Sequence, residues 1–249
     1  DTLLFVTDRG QLHWLKVYRI PEGSRTAKGK AVVNLVNLVA EEQIQSIIPT
    51  TDFSEDKGLV FFTKNGVVKR TNLSEFSNIR SNGVRAIVLD EDDELITAKI
   101  ADKDIRYLFI VTKFAQCIKF EIEKTREQGR STRGVRGIKL GEGDEVVGMI
   151  AVENDEANVL VVSSNGYGKR SSVSDYRITN RGGKGVKTIN VTDKTGSLIS
   201  MKNVTDDDDL MIITRKGITI RMHVDALRVM GRATQGVKLI SLRGGDEIA

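Results

Sequence analysis

Residues 159–170 read VLVVSSNGYGKR and predict a β-hairpin. The first four residues form an uninterrupted apolar run, which is typical of a strand buried on both faces. Asn165-Gly166 follows, and this pair favours a tight turn because both residues tolerate positive φ. The strand that leaves the turn presents two adjacent cations, Lys169 and Arg170. The stretch therefore combines a buried strand, a turn and a basic strand in one short unit.

The same unit recurs four more times along the chain. The other copies lie at residues 3–10, 59–66, 108–115 and 210–217. The turns end at Gly10, Gly66, Ala115, Gly166 and Gly217, so the successive spacings are 56, 49, 51 and 51 residues. A period of about 50 residues is typical of propellers and related repeat architectures.

Each repeat contains four strand-like segments and no long helical period. The third segments are predicted at 30–36, 85–89, 136–140, 186–191 and 237–242. We therefore predict an all-β fold of five repeats of four strands, with the last strand of the fifth repeat truncated, arranged as a propeller-like ring. We expect one domain over residues 1–249, with repeats at approximately 1–56, 57–105, 106–156, 157–208 and 209–249.

Composition narrows the class of protein. Hydrophobic residues make up 39% of the chain and charged residues 29%, as in folded globular proteins. No apolar run approaches the roughly 18 residues of a membrane span, and no signal peptide opens the chain. The one cysteine, Cys117, lies in a strand pattern, excludes an internal disulfide and fits a reducing compartment. We expect a cytoplasmic protein that does not contact a membrane, with Cys117 in its core.

A second motif lies between the second and third strands of each repeat. It begins with arginine and ends four residues later with glycine, at 25–29, 130–134, 181–185 and 232–236, with a copy one residue shorter at 80–83. We expect the glycine to occupy a left-handed backbone position. A surface loop does not require a fixed cation, so the recurrent arginine indicates a function.

Net charge is only +4, but the charges are segregated by their position in the repeat. Acidic residues cluster between the third and fourth strands, whereas basic residues cluster on the second strand and in the following loop. A basic belt at regular spacing is the pattern expected for binding a phosphate backbone. The candidate nucleic-acid-binding residues are Arg25, Lys28, Lys69, Arg70, Lys119, Arg130, Arg133, Lys169, Arg170, Arg181, Lys184, Arg221, Arg232 and Lys238.

Several blocks resemble one known family along the whole chain. Residues 3–10, 17–21 and 25–29, then NGYGKR at 165–170, and MGRATQGV at 230–237 are similar to the C-terminal domain of the bacterial DNA gyrase A subunit. The resemblance implies a β-pinwheel, in which propeller-like blades exchange strands with their neighbours. It also implies that duplex DNA wraps around a basic outer perimeter and supports negative supercoiling.

The resemblance further implies a non-catalytic domain. Its partners would be double-stranded DNA, the rest of the gyrase A subunit and the gyrase B subunit, with DNA cleavage and ATP hydrolysis outside this chain. The family's first blade carries the signature box QRRGGKG, and that blade would precede Asp1. Residues 181–185, RGGKG, match the end of the box but lie in a later repeat, so we interpret them as an ordinary loop of the fourth repeat.

Alternatives stay open at this point. The chain could be the tail of the related topoisomerase IV subunit, a protein-interaction propeller similar to the chromosome-condensation-regulator type, or a propeller enzyme. No catalytic constellation and no Walker pattern is present, so no cofactor is predicted. We expect the acidic run 206–209 to be a solvated turn rather than a metal site. His13 and His223 are expected to be partly exposed residues rather than ligands or bases.

Overall fold

A computed structural model describes residues 1–78, 80 and 82–248. Ser81 and Ala249, which the loop and repeat predictions include, lie outside the described residues. The chain divides into two compact units. The first unit comprises residues 1–104 and 125–135, and the second comprises residues 105–124 and 136–249.

The structure is all-β, as predicted, and its strands follow the period of the sequence. The first strands of the five repeats are β1 (Thr2–Thr7), β4 (Gly58–Thr63), β8 (Tyr107–Thr112), β12 (Asn158–Ser163) and β16 (Asp209–Ile213). The second strands are β2 (Gln11–Lys16), β5 (Val67–Asn72), β9 (Gln116–Glu121), β13 (Tyr167–Ser172) and β17 (Thr219–His223). Each first strand pairs antiparallel with the second strand of its own repeat.

The third strands are much shorter than predicted. They are two-residue strands, β6 (Val84–Arg85), β10 (Val135–Arg136), β14 (Val186–Lys187) and β18 (Val237–Lys238). The expected strand at 30–36 is wrong, because Val32–Asn34 forms a 3₁₀ helix there. Further 3₁₀ helices lie at Val17–Arg19, Leu73–Phe76, Ile122–Lys124, Val173–Asp175 and Val224–Ala226. The fourth strands are β3 (Ile44–Thr50), β7 (Leu95–Ala101), β11 (Val146–Val152) and β15 (Leu198–Val204).

Every four-stranded sheet borrows its short strand from the next repeat. The strand orders are β3-β1-β2-β6, β10-β5-β4-β7, β11-β8-β9-β14 and β15-β12-β13-β18. Strand exchange between neighbouring blades, which the family resemblance implied, is therefore present. It places the second strand of each of these sheets in the sheet interior, between the first strand and the borrowed strand.

The apolar first strands build the cores of both units. All six residues of β4 and of β8 are buried, as the uninterrupted apolar runs predicted. In the first unit Phe61 packs edge to face on Phe76, and in the second unit Phe109 packs similarly on Tyr176. The fifth repeat differs, because β16 and β17 form a two-stranded sheet within the described residues. Met211 of β16 is consequently exposed.

The turn chemistry explains the hairpins. Gly10, Gly66, Gly166 and Gly217 all have positive φ, and Ala115 adopts a φ of 62° at the equivalent position. Ala115 therefore occupies the same left-handed turn position as the glycines of the other repeats. A non-glycine residue in this region costs about 1–2 kcal/mol, so the third turn is less favourable than its counterparts.

Candidate nucleic-acid interface

Two second-strand lysines are buried and hold loops in place. Lys69 has no exposed surface, and its Nζ donates hydrogen bonds to the carbonyl oxygens of Ala86 at 2.6 Å and Arg130 at 2.7 Å. Lys169 is 1% exposed and donates to the carbonyl oxygens of Gly231 at 2.6 Å and Arg232 at 2.5 Å. Burial lowers the pKa of both lysines to about 8. Each lysine therefore clamps the arginine loop of the following repeat.

Two further second-strand cations are also buried and paired. The Lys119 ammonium lies 4.4 Å from the centre of the Tyr107 ring, donates to the Val173 carbonyl and forms an ion pair with Asp155. Arg170 forms the equivalent ion pair with the aspartate 36 residues further along the chain, Asp206, and donates to the Leu227 carbonyl. These contacts tie each second strand to the next repeat.

The prediction that the second-strand cations form a basic belt for a phosphate backbone is therefore wrong for Lys69, Lys119, Lys169 and Arg170, whose side chains are buried. Arg70 is half-buried, whereas Arg221 is exposed and paired with Asp209.

The physical reason is that the arginine loop of the next repeat lies across each of these strands. The backbone carbonyls of Arg70, Lys119 and Arg170 accept hydrogen bonds from the loop amides of Gln128, Thr179 and Met230 at 2.8–2.9 Å. A second strand covered in this way cannot present its cations to a ligand, however regular their spacing is.

The loop arginines have a structural role that explains their recurrence. Arg181 donates from Nε to the Lys124 carbonyl at 2.9 Å and from Nη1 to the Arg136 carbonyl at 3.0 Å. Arg232 donates from Nη1 to the Lys187 carbonyl at 2.6 Å, which is the equivalent bond one repeat later. Arg181 and Arg232 are half-buried, as is Arg130, so each residue keeps part of its surface exposed to solvent.

The loop glycines occupy left-handed positions, as predicted. Gly134, Gly185 and Gly236 have φ of 90°, 75° and 81°. A Cβ on Gly185 would lie 2.5 Å from the Cys117 carbonyl oxygen, and one on Gly236 would lie 2.6 Å from the Gly168 carbonyl oxygen. These glycines therefore combine positive φ with a close approach of the loop to the second strand of the preceding repeat.

The remaining predicted DNA-binding residues are exposed. They are Arg25, Lys28, Arg133, Lys184 and Lys238, in addition to Arg221. Arg133 forms a surface ion pair with Asp90 at 2.6 Å. Such a pair contributes about 0–1 kcal/mol, so Arg133 can exchange its partner for a phosphate at small cost.

Sequence reasoning missed a more regular set of exposed cations. Each borrowed strand consists of a half-buried valine and an exposed cation, namely Arg85, Arg136, Lys187 and Lys238. Only Lys238 was among the predicted residues. The signal was present, because the loop glycine is followed by Val-Arg or Val-Lys in four repeats. We call these four residues the edge cations.

A third exposed set follows the 3₁₀ helices. Arg126, Arg177 and Arg228 recur at intervals of 51 residues and are exposed. The second unit contains the edge cations Arg136, Lys187 and Lys238. It also contains the exposed Arg177, Lys184 and Arg228, so exposed cations occur in consecutive repeats there. Duplicated positive charges on equivalent positions are suited to a polyanion whose phosphates also repeat.

The acidic clusters between the third and fourth strands are only partly exposed to solvent. Glu42, Asp93 and Asp246 are buried, and Asp144 is half-buried. These four acids cap the first hairpins: the Thr7 hydroxyl donates to Glu42 and the Thr112 hydroxyl to Asp144, both at 2.6 Å. Some of the acidic side chains therefore stabilise the hairpin turns by accepting hydrogen bonds and are not simply solvated.

The described residues do not form a metal site. No group of three or more His, Cys, Asp or Glu side chains that could hold a metal ion occurs among the described residues. In the acidic run, Asp206 and Asp209 pair with arginines and Asp208 accepts from the Thr205 amide. Cys117 is buried in the core, as expected, and burial raises the pKa of its thiol. No helix in the described part of the chain is long and apolar enough to cross a membrane.

The histidines differ from expectation. His223 is exposed and lies 2.6 Å from Asp209, but His13 is 3% exposed and so is buried rather than partly exposed. It occupies an interior strand, and the loop of the next repeat approaches its ring, since a Cβ on Gly83 would lie 2.6 Å from His13 Cε1.

Four-stranded antiparallel sheets that repeat about every 50 residues and exchange strands define a propeller-type repeat protein. Within that class, the chain belongs to the family described as DNA gyrase C-terminal domain, beta-propeller. The family model matches residues 1–51, 59–102, 106–153, 157–205 and 208–249, so each of the five repeats is matched.

Similar proteins support the assignment of the chain to this family. The DNA gyrase A subunit of Campylobacter jejuni is 50% identical, and the match covers 100% of this chain and 33% of that protein. The DNA gyrase A subunit of Helicobacter pylori is 52% identical, with 97% and 29% covered. The chain thus spans about a third of the length of these curated relatives. The predicted resemblance to the C-terminal domain of the DNA gyrase A subunit is confirmed.

Two solved structures share the fold. The structure of a DNA gyrase A C-terminal domain aligns with a TM-score of 0.86 and 26% identity, covering 100% of this chain and 80% of that one. The crystal structure of a C-terminal domain of DNA topoisomerase IV aligns with a TM-score of 0.90 and 23% identity, covering 100% and 77%.

Proposed function

We propose that this domain binds and bends duplex DNA without base readout, as the non-catalytic wrapping domain of a cytoplasmic DNA gyrase. The observation that carries the proposal is the set of edge cations, which are exposed at equivalent positions of consecutive sheets. Phosphate contacts position a protein on DNA without reading its sequence. Membership of the gyrase family supports the same ligand.

The binding residues of this proposal are a revised set. The edge cations contact phosphates, together with the exposed loop cations Arg25, Lys28, Arg133 and Lys184 and with Arg221. The half-buried Arg130, Arg181 and Arg232 position the loops and offer their remaining N–H groups to the DNA. Lys69, Lys119, Lys169 and Arg170 act indirectly, by holding segments of the next repeat. Arg70, half-buried on a covered interior strand, is left out of the set.

The free energy needed to bend the DNA must be offset by these phosphate contacts. Bending 20–30 base pairs through 40–90° costs on the order of 1–6 kcal/mol. Several phosphate contacts in consecutive repeats can supply that energy, and counterion release makes the binding steeply dependent on salt. In the holoenzyme, which also contains the rest of the gyrase A subunit and the gyrase B subunit, a bent segment presented with fixed handedness would support negative supercoiling.

Salt-dependent duplex binding tests the proposal. Arg136→Gln, Lys187→Gln and Lys238→Gln combined should reduce the slope of log K against log salt by about 0.9 for each phosphate interaction that the substitutions remove. The matched control neutralises three exposed cations outside the proposed interface, Lys103→Gln, Lys202→Gln and Arg243→Gln, and should change the slope little.

Fluorescence energy transfer between the ends of the duplex measures bending in the same samples. Affinity that is insensitive to salt, or equal slopes for the two triple variants, would contradict the proposal and favour a protein-interaction propeller.

A further inference from the structure

The first unit contains a cavity that DNA wrapping does not explain. Its volume is about 270 Å³. The residues that line it include His13, Trp14, Arg19, Val36 and Arg80. We call it the His13 pocket.

Buried polar atoms at this pocket lack partners. His13 is 3% exposed, and neither of its ring nitrogens has a hydrogen-bond partner among the described residues. The same holds for Nε1 of the neighbouring Trp14. A buried polar group without a partner costs about 1–3 kcal/mol. Three such atoms on two adjacent residues are therefore more than random imperfection, and they indicate a polar occupant.

Other repeats carry a lysine at the position of His13. His13 opposes Phe5 on the first strand just as Lys69 opposes Phe61 and Lys169 opposes Val161. Both lysines donate to loop carbonyls, whereas the shorter imidazole does not. The first repeat thus has a cavity at the position where the second and fourth repeats have a buried lysine clamp.

The charges around the pocket favour an anion. Two arginines, Arg19 and Arg80, line it with exposed side chains, and Lys16 lies 5.4 Å from the Trp14 ring. The acidic group that acts on His13 is Glu42, which is already engaged by the Thr7 hydroxyl and the Val39 amide. Burial lowers the pKa of His13 and so favours the neutral imidazole, which offers one donor and one acceptor.

We propose that the His13 pocket binds a phosphate group, with Arg19 and Arg80 as charged partners and the His13 imidazole as the buried hydrogen-bond donor. Arginine matches the geometry of phosphate oxygens through its fork of N–H groups. The phosphate can belong to a free phosphate or phosphomonoester, or to the backbone of a duplex. The proposal is separate from DNA wrapping, since free phosphate can occupy the pocket whether or not the domain bends DNA.

The chain carries its own reporters for this site. Trp14 is the only tryptophan, and His13 is one of two histidines. Inorganic phosphate and, in a second arm, a short duplex are titrated into the protein while Trp14 fluorescence and the His13 imidazole NMR signals are recorded. We expect a saturable change in both signals with at least one probe, and no parallel shift of the exposed His223.

Surface variants keep the test independent of folding. Arg80→Gln and Arg19→Gln should each weaken phosphate binding by about tenfold, the size expected for removing one hydrogen bond to a charged group. Arg243→Gln, at an exposed arginine of the second unit outside the proposed DNA interface, is the matched control and should leave the titration unchanged.

A response to phosphate assigns the site to a free anion, and a response to the duplex alone assigns it to the DNA backbone. Silence of Trp14 and His13 toward both probes, or an equal response in the wild type and in Arg80→Gln, would overturn the proposal. The duplex-binding assay separates the two ideas: duplex that binds without moving Trp14 signals refutes the pocket but not the proposed function.

Discussion

The ammonium of Lys169 lies 2.6 Å from the carbonyl oxygen of Gly231, so a buried cation of the fourth repeat holds the loop of the fifth. Lys69 holds Arg130 in the same manner two repeats earlier. The loop held in this way leads directly into the strand that presents Lys238. Buried and exposed cations therefore have different tasks: the first fix the loop, and the second remain available to a polyanion.

Removing a clamp should destabilise the fold. Lys169→Met leaves the Gly231 and Arg232 carbonyls without their donor, and an unsatisfied buried acceptor costs about 1–3 kcal/mol. We expect the free energy of unfolding to fall by about that amount, measured by urea denaturation. Lys184→Met, at an exposed position, is the control and should stay within about 0.5 kcal/mol of wild type. Unchanged stability together with a large decrease in DNA affinity would mean that Lys169 contacts DNA directly.

Burial of the two clamps also predicts a pH dependence. The pKa of Lys69 and of Lys169 is about 8 in the folded state, below the ordinary value of 10.5. Between these values the unfolded chain binds more protons than the folded chain, so the contribution of each lysine to stability rises with pH, by at most about 1.4 kcal/mol per pH unit. The unfolding free energy measured from pH 7.5 to 10.5 checks this.

Replacing the lysines identifies the source of the pH effect. The difference in stability between wild type and Lys69→Met should change with pH across the same window, because the methionine does not titrate. A difference that is constant from pH 7.5 to 10.5 would show that Lys69 keeps an ordinary pKa.

Two glycines of one loop provide a matched pair. Gly185 has a φ of 75° and its added Cβ would lie 2.5 Å from the Cys117 carbonyl, whereas Gly183 lacks positive φ and meets its nearest neighbour at 3.6 Å. Gly185→Ala should cost about 1–2 kcal/mol from the left-handed backbone alone, with a further cost from the overlap. Gly183→Ala should be nearly neutral. Thermal unfolding of the two variants tests the difference, and equal effects would show that the loop does not need a glycine at 185.

Much of the fold could be predicted from local pattern. Apolar runs, turn glycines and a fixed period depend on short-range chemistry, and they located the first and second strands in every repeat. The third strands were overestimated, because only Val84–Arg85 and its three equivalents reach a partner strand, and that partner belongs to the preceding repeat. Exchange of this kind is a tertiary property that no local period reveals.

The site was harder to predict for a related reason. Lys169 and Lys184 look alike in the sequence, and only the loop that covers β13 makes one a buried clamp and leaves the other exposed. Periodicity identifies equivalent positions but does not say which face a neighbour covers. The edge cations could have been found, since a valine followed by a cation after the loop glycine indicates a short strand with one buried and one exposed residue.

Residues 181–185 resemble the end of the family's signature box. Arg181 anchors its loop through the Lys124 and Arg136 carbonyls, and Arg232 makes the equivalent bond to Lys187, so both arginines behave as loop anchors of ordinary repeats. Arg181→Ala with Lys184→Ala should therefore weaken duplex binding about as much as Arg232→Ala with Lys238→Ala, since each pair removes about two phosphate contacts.

In a complete gyrase that carries this domain, each pair should reduce supercoiling only in part, because the edge cations of the other repeats remain. Duplex affinity, relaxation and supercoiling are measured side by side for the two double variants. If the Arg181 and Lys184 changes abolished supercoiling while binding and relaxation stayed intact, residues 181–185 would direct the path of the DNA as the box does. The equivalence of the loops would then extend to their structure but not to their function.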